Sequence, residues 1–278
     1  MDGRCKYTQR PALPESGSFV FSHTDFIECS NDAHGGAIYL SFDDLSTTAL
    51  SIDDCLFTDC YCQTPSNGQC GGSIYIESIS SLSVAHSSFE WTYSDTTQAN
   101  YGGAMFLSDI LFVTISDDTF TNCYVTYSGG AIYIQTCSSG SNTDRLMDDC
   151  RFFQCTGSSY AAGGVCIDNN KQYNNFLTNS LFSECSSIYG GALYLYYASS
   201  FYPSSSSEEH PVQFSFFNMN SFLSGGAGND IYFHDYCPED TIAIFQHCFS
   251  TTSLSRVVFW QSSAYLSTDV DWLPLGDI

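Results

Sequence analysis

Gly102-Gly103-Ala104-Met105-Phe106-Leu107 decides how this chain folds, because the pattern recurs. It returns as Gly35-Gly36-Ala37-Ile38-Tyr39-Leu40, Gly71-Gly72-Ser73-Ile74-Tyr75-Ile76 and Gly129-Gly130-Ala131-Ile132-Tyr133-Ile134. Gly163-Gly164-Val165-Cys166-Ile167, Gly190-Gly191-Ala192-Leu193-Tyr194-Leu195 and Gly225-Gly226-Ala227 complete seven instances, at steps of 27 to 36 residues. A recurrence of this length signals stacked units, none of which can bury its own apolar face.

A second motif lies between the glycine pairs. Phe26/Cys29, Phe57/Cys60, Phe120/Cys123, Phe152/Cys155 and Phe182/Cys185 share a Phe-x-x-Cys spacing; Phe89 and Phe217 are followed by Thr92 and Asn220 instead. Five residues before each Phe stands an apolar residue: Phe21, Ile52, Val84, Ile115, Met147, Leu177 and Val212. Leu50-Ser51-Ile52 and Leu82-Ser83-Val84 alternate with the period of a half-buried strand. Each unit therefore holds three short strands: one after the glycine pair, one ending before the Phe, and one around the Phe. The seven Phe residues are expected to stack as a single buried ladder.

Apolar runs are short and broken by Ser, Gly, Asn and Asp, so no helical periodicity develops. The unit is too short for a propeller blade and lacks a leucine-rich repeat consensus. The expected fold is all-β: a right-handed parallel β-helix solenoid of about seven to eight coils with end caps. Residues 1–18 read as an N-terminal arm or cap and 19–236 as the coils. Residues 237–278 read as a degenerate last coil, Ile242 to Phe249, and a C-terminal cap around Val257 to Trp260.

The paired motifs resemble the Gly-Gly-Ala-Ile and Phe-x-x-Asn repeats of the polymorphic membrane protein (Pmp-like) family. Residues 35–38 and 129–132 carry the full first motif and Phe217 to Asn220 the literal second; Cys replaces that Asn in five units. The resemblance spans about residues 19–233. It implies a right-handed β-helix with the Cys or Asn pointing inward, and adhesin-like surface display as one role. The family's bacterial members also carry a signal peptide and a membrane barrel, of which this sequence shows no sign.

Net charge is −23, with Lys6 and Lys171 the two lysines. That field repels phosphate, which argues against nucleic acid and anionic membranes. No apolar leader follows Met1, no run has the length of a membrane span, and no Asn-x-Ser/Thr sequon occurs. These features favour an intracellular protein or a fragment of a larger one, with a cell-surface or extracellular location as the family-based alternative.

Cys29, Cys60, Cys123, Cys155 and Cys185 share one position in the unit and are expected to be mostly free, inward thiols. Cross-coil disulfides are the alternative. Zinc at Cys60 and Cys62 with Cys55 and Cys70 lacks paired Cys-x-x-Cys knuckles and is disfavoured.

Three residues before each Phe stand His23, Asp54, His86, Asp117, Asp149 and Asn179. Stacked coils would bring Asp117 and Asp149 within about 5 Å, a spacing at which paired carboxylates act in glycoside hydrolysis. His86 would lie between Asp54 and Asp117 as an acid–base relay. Asp54, His86, Asp117 and Asp149 are the catalytic candidates. Against them, Asp and Asn at coil corners ordinarily satisfy backbone N–H groups. No cofactor or metal is expected, Ca²⁺ on the acidic ladder being the one exception considered. A lyase would need more basic residues than Arg145, Arg151 and Lys171 supply.

Tyr39, Tyr75, Phe106, Tyr133, Tyr194 and Tyr232 form an aromatic column, interrupted by Ile167, with apolar residues on either side. Both faces of that strand are apolar, so the column is either covered or a sticky ribbon. Insertions at residues 61–70 and 92–101 are expected to protrude together. Those at 137–145 and 199–210 belong to another corner, with Ser204 to Glu209 mobile. Tyr61, Trp91, Tyr93 and Tyr101 are the candidate partner contacts. The favoured function is a non-enzymatic interaction or structural protein presenting loops and an aromatic ribbon to a protein or carbohydrate. A carbohydrate-active β-helix enzyme, hydrolase before lyase, and a self-assembling filament component are the alternatives.

Overall fold

The computed structural model describes residues 17–32, 34–42, 47–63, 70–94, 100–135, 145–168 and 175–196, and short segments at 212–213, 216–218, 220–227, 231–233, 257–259 and 269–270. Among them the fold is all-β, without a helix. Each turn of chain contributes one strand to each of four sheets, and within a sheet successive strands pair in parallel. Three sheets have seven strands and the fourth nine.

One turn shows how the sequence builds this. Ser81–Ala85 lies in the first sheet, with Leu82 and Val84 buried and Ser83 exposed, as the alternation requires. Ser88–Glu90 lies in the second, with Phe89 buried between two outward residues. Tyr93–Ser94 lies in the third and Met105–Ser108 in the fourth. Like meets like across turns: Leu50 pairs with Leu82, Ile52 with Val84, Phe57 with Phe89.

The Phe ladder is present as expected over the described side chains. Phe26, Phe57, Phe89, Phe120, Phe152 and Phe182 stack nearly parallel, with centroids 4.4–4.9 Å apart. Phe217 pairs in register with Phe182. Each buried ring removes apolar surface worth about 1.5–3 kcal/mol, with offset stacking adding about 0.5–1.5.

The corners are left-handed. His23, Asp54, His86, Asp117, Asp149 and Asn179 all have φ of 50–57°, and so form one column. Glu28, Asp59, Trp91, Asn122, Gln154 and Glu184, at 51–56°, form a second. Asn, Asp and His tolerate this region best among non-glycine residues. At the glycine corner the first residue is left-handed in three turns (Gly102, Gly129, Gly190) but not at Gly35 or Gly71. The second has no room: a Cβ on Gly103 would meet the carbonyl oxygen of Gly130 in the next turn.

Two glycine pairs are out of phase with their corners. Gly130 N–H donates to the Ala162 carbonyl, as Gly103 N–H does to Gly129, so Ala162, at φ 54°, takes the left-handed place and Gly163 the crowded one. Gly225-Gly226-Ala227 lies inside the strand Ser221–Ala227, where Ala227 pairs with Tyr189. Cys166, and not Ile167, therefore interrupts the Tyr column, pairing with Tyr133 and Tyr194.

The coil count expected from the glycine pairs is also corrected. The regular solenoid comprises about five turns, not seven to eight. Strand pairing itself continues through seven strands in three sheets; the regular part is shorter because the last turns depart from the pattern. Beyond the fourth turn the third sheet also loses register, at Gly157/Ala161 and Ser187/Tyr189. Val257–Phe259 extends the fourth sheet and pairs antiparallel with Asp269–Val270. The rest of the expected C-terminal cap and degenerate coil, residues 1–16 of the arm, and the insertion segments 64–69, 95–99, 137–144 and 199–210, including Ser204 to Glu209, lie outside the described residues.

Candidate functional site

The catalytic candidates share one exposed corner. His86 Nδ1 lies 2.9 Å from Asp53 Oδ1, and its Nε2 3.7 Å from Asp117 Oδ2. His23 pairs with Asp54 at 3.3 Å. The hydrogen bond to Asp53 raises the His86 pKa above the usual histidine value. Asp149 is exposed one turn beyond Asp117. Farther along the same column Asn179 Nδ2 donates to Asp148 Oδ1 at 2.9 Å, and Thr178 donates to the same oxygen. His86 thus bridges Asp53 and Asp117, where the expected relay had Asp54 and Asp117; Asp54 pairs with His23. Among the described residues no group of three or more His, Cys, Asp or Glu side chains is arranged to hold a metal ion. The arrangement holds corners together by cross-turn pairing in solvent, where such contacts contribute modestly.

Asp118, the second member of the Asp117-Asp118 doublet, is a residue that sequence reasoning passed over. It is fully buried. Oδ1 accepts from Ser87 N–H at 2.6 Å, and Oδ2 has no hydrogen-bond partner among the described residues. Burial pushes its pKa up to about 7 against the opposing bond from Ser87 and the field of His86. Asp118 occupies the position two before the Phe, with Cys55, Ser87, Cys150 and Ser180 in the other turns. Ser87 Oγ accepts from Cys55 N–H and Ser180 Oγ from Cys150 N–H, both at 3.1 Å. Ser87, Asp118 and Ser180 thus close the corners at Cys55, Ser87 and Cys150 with side-chain acceptors. Aligning the units on the Phe is the signal that would have found it.

The cysteine column is inward and its five members are thiols outside any disulfide. The thiols of Cys60, Cys123, Cys155 and Cys185 donate to the carbonyls of Phe26, Phe89, Phe120 and Phe152, one turn back. Asn220 donates in the same way to Phe182, and its Oδ1 accepts from Cys185 N–H at 3.0 Å. Burial raises the Cys155 pKa well above the ordinary thiol value, reinforced by Cys123 and Cys185 on either side. The one disulfide among the described residues joins Cys62 to Cys70 within a single turn. It takes two of the four cysteines considered for zinc.

The aromatic candidates divide between two places. Tyr61 and Tyr93 stack on the outer face of the third sheet, 5.0 Å apart and 6° from parallel. Tyr124 follows in register. Trp91 stands at the corner leading into that face, 58 % exposed. Tyr101 is elsewhere, against Tyr133 at 4.4 Å and Tyr127 at 5.3 Å. Burial pushes its pKa up to about 12.

Tyr101 belongs to a cover over the Tyr column. Tyr75, Phe106, Tyr133 and Tyr194 are buried in a second apolar cluster outside the fourth sheet, packed by Tyr101, Tyr160 and Tyr189. His34 stacks on Tyr39 at 4.7 Å. Tyr75 and Tyr133 hydroxyls donate to Glu77 and Asp168 at 3.1 and 2.8 Å. The ribbon considered as a partner surface is therefore an internal layer over most of its length.

No protein-family model, curated protein or solved structure matches the chain.

Proposed function

We propose that this chain is a non-enzymatic interaction protein whose solenoid presents the third-sheet face, with Tyr61, Tyr93 and Tyr124, and the adjoining Trp91 corner to a partner. The observation that carries this reading is Trp91. The equivalent corners hold Glu28, Asp59, Asn122, Gln154 and Glu184, all polar. A bulky aromatic is an outlier in left-handed geometry, and strain of this kind persists where function maintains it. An exposed Trp beside a Tyr ladder has the composition of a binding hot spot.

Kinship with Pmp-like repeats and an adhesin or scaffold role are part of this proposal. Asn220 supports it by making the carbonyl bond that the cysteines make elsewhere. Right-handed coiling is taken from the same resemblance and from the strong handedness of parallel crossovers.

The test is a panel of oligosaccharides and peptides, followed for both binding and chemical conversion. Binding without conversion, weakened by Tyr93→Ala, is expected. Conversion of an oligosaccharide that stops in Asp117→Asn would overturn the reading in favour of a hydrolase.

A further inference from the structure

We infer that the partner of the Trp91 face is a polypeptide segment bearing arginine side chains; this rests on the interaction reading above. Three observations combine. The first is ring geometry: Tyr61 and Tyr93 form a stacked pair, and Trp91, two residues before Tyr93, exposes its ring at the corner. Aromatic faces attract cations, Trp most strongly, and guanidinium stacks on them as a flat ion.

The second is the charge around the rings. Asp59 occupies the Trp91 corner one turn before, and Glu90 precedes Trp91 on the outer face of the second sheet. Glu28 occupies the same corner two turns before. Among the described residues Arg145 and Arg151 are the only Lys or Arg, and both lie beyond the turn that holds Tyr124. The face thus joins the exposed Trp91 ring and half-buried tyrosine rings to carboxylates that no described Lys or Arg accompanies, within a chain of net charge −23.

The third is the donor–acceptor balance. Ionised carboxylates only accept hydrogen bonds. Sugar hydroxyls recognised by a protein need donors as well as acceptors, and beside the carboxylates this face supplies donors through the Trp91 Nε1–H and the tyrosine hydroxyls alone among the residues named. Guanidinium offers five donors in a planar fork that fits a carboxylate while its face stacks on a ring. Lysine supplies the charge without the plane.

The experiment is calorimetric titration with an arginine–glycine repeat octapeptide, its lysine–glycine counterpart and cellohexaose. Each is run against the full chain, Trp91→Asn and Asp149→Asn. Asn stands at the same corner in the next turn, at Asn122, so Trp91→Asn removes the ring without straining the fold. The arginine peptide is expected to bind best. Trp91→Asn should weaken it about tenfold, the lysine peptide should bind several-fold more weakly, and Asp149→Asn should change little. Equal weakening by Trp91→Asn and Asp149→Asn would mean general acidity and overturn the inference. Trp91-dependent binding of cellohexaose alone would overturn the arginine partner and leave the interaction face standing. No probe depending on Trp91 would overturn both.

Discussion

Asp118 Oδ1 accepts a hydrogen bond from the backbone N–H of Ser87, one turn back, at 2.6 Å. The bond closes a corner, and the carboxyl that makes it is buried, its other oxygen without a hydrogen-bond partner among the described residues. His86, Asp117 and Cys150 are the titratable groups that act on it.

A stability slope follows from that burial. The native pKa is about 7, against an ordinary aspartate value of about 3.9. Native Asp118 keeps its proton where the unfolded chain has lost it. Stability contributed by this group is therefore full below about pH 4, declines as pH rises toward about 7, and is flat above. Each unit of the difference is worth about 1.4 kcal/mol. Asp118→Ser reproduces the acceptor found at Ser87 and Ser180 and should remove most of the decline. Urea denaturation at pH 4.5, 6 and 8 (round values chosen about that window) checks this, with a parallel slope in the variant refuting it.

The two glycines of a corner should respond differently to a methyl group. Gly129 is left-handed, and Ala162 stands in the equivalent place in the next turn. A Cβ on Gly129 would meet the Ile132 carbonyl oxygen of its own turn, a clash that a shift toward the Ala162 geometry can relieve, so Gly129→Ala should cost at least the penalty of that backbone region, about 1–2 kcal/mol. Gly103 faces the Gly130 carbonyl, so Gly103→Ala forces two turns apart. It should cost more than about 3 kcal/mol or prevent folding, comparable to severe overpacking. Thermal melts of the two variants give the order.

Phe120 lies in the middle of the ladder, 4.9 Å from both Phe89 and Phe152. Phe120→Ala opens a cavity in a stack that cannot close without moving a turn, and should cost about 3–5 kcal/mol. Phe26, at the end of the stack and slightly exposed, should cost less when truncated. Denaturant midpoints of the pair test whether the ladder behaves as one packed column.

The cysteines should separate into two chemical classes. Alkylation under denaturing, non-reducing conditions should label Cys29, Cys60, Cys123, Cys155 and Cys185 and leave Cys62 and Cys70 unlabelled. Cys70→Ser should cost about 2–3 kcal/mol, the value for a short closed loop. Cys155→Asn should be tolerated within about 1 kcal/mol, because Asn220 already makes the same carbonyl bond. Mass spectrometry and melting curves read these outcomes; two or more bridges within the column of five would refute the assignment.

The repeat by itself determined the stacked all-β architecture, the Phe ladder and the inward cysteines. In a solenoid each turn meets a copy of itself, so one-dimensional spacing carries the packing directly. Phase, face and cover were decided only by the tertiary structure. Ala161-Ala162-Gly163-Gly164 admits two corner placements in sequence, and hydrogen bonding to Gly129 and Gly130 selected one. The doublet Asp117-Asp118 puts one carboxylate in solvent and the other in the core, since one residue along a strand or its corner reverses the side. The strand Ile132–Gln135 is apolar on both faces, so nothing local says that Tyr133 is covered. Tyr101, packed against it at 4.4 Å from the preceding turn, supplies that answer through a contact that no periodicity encodes.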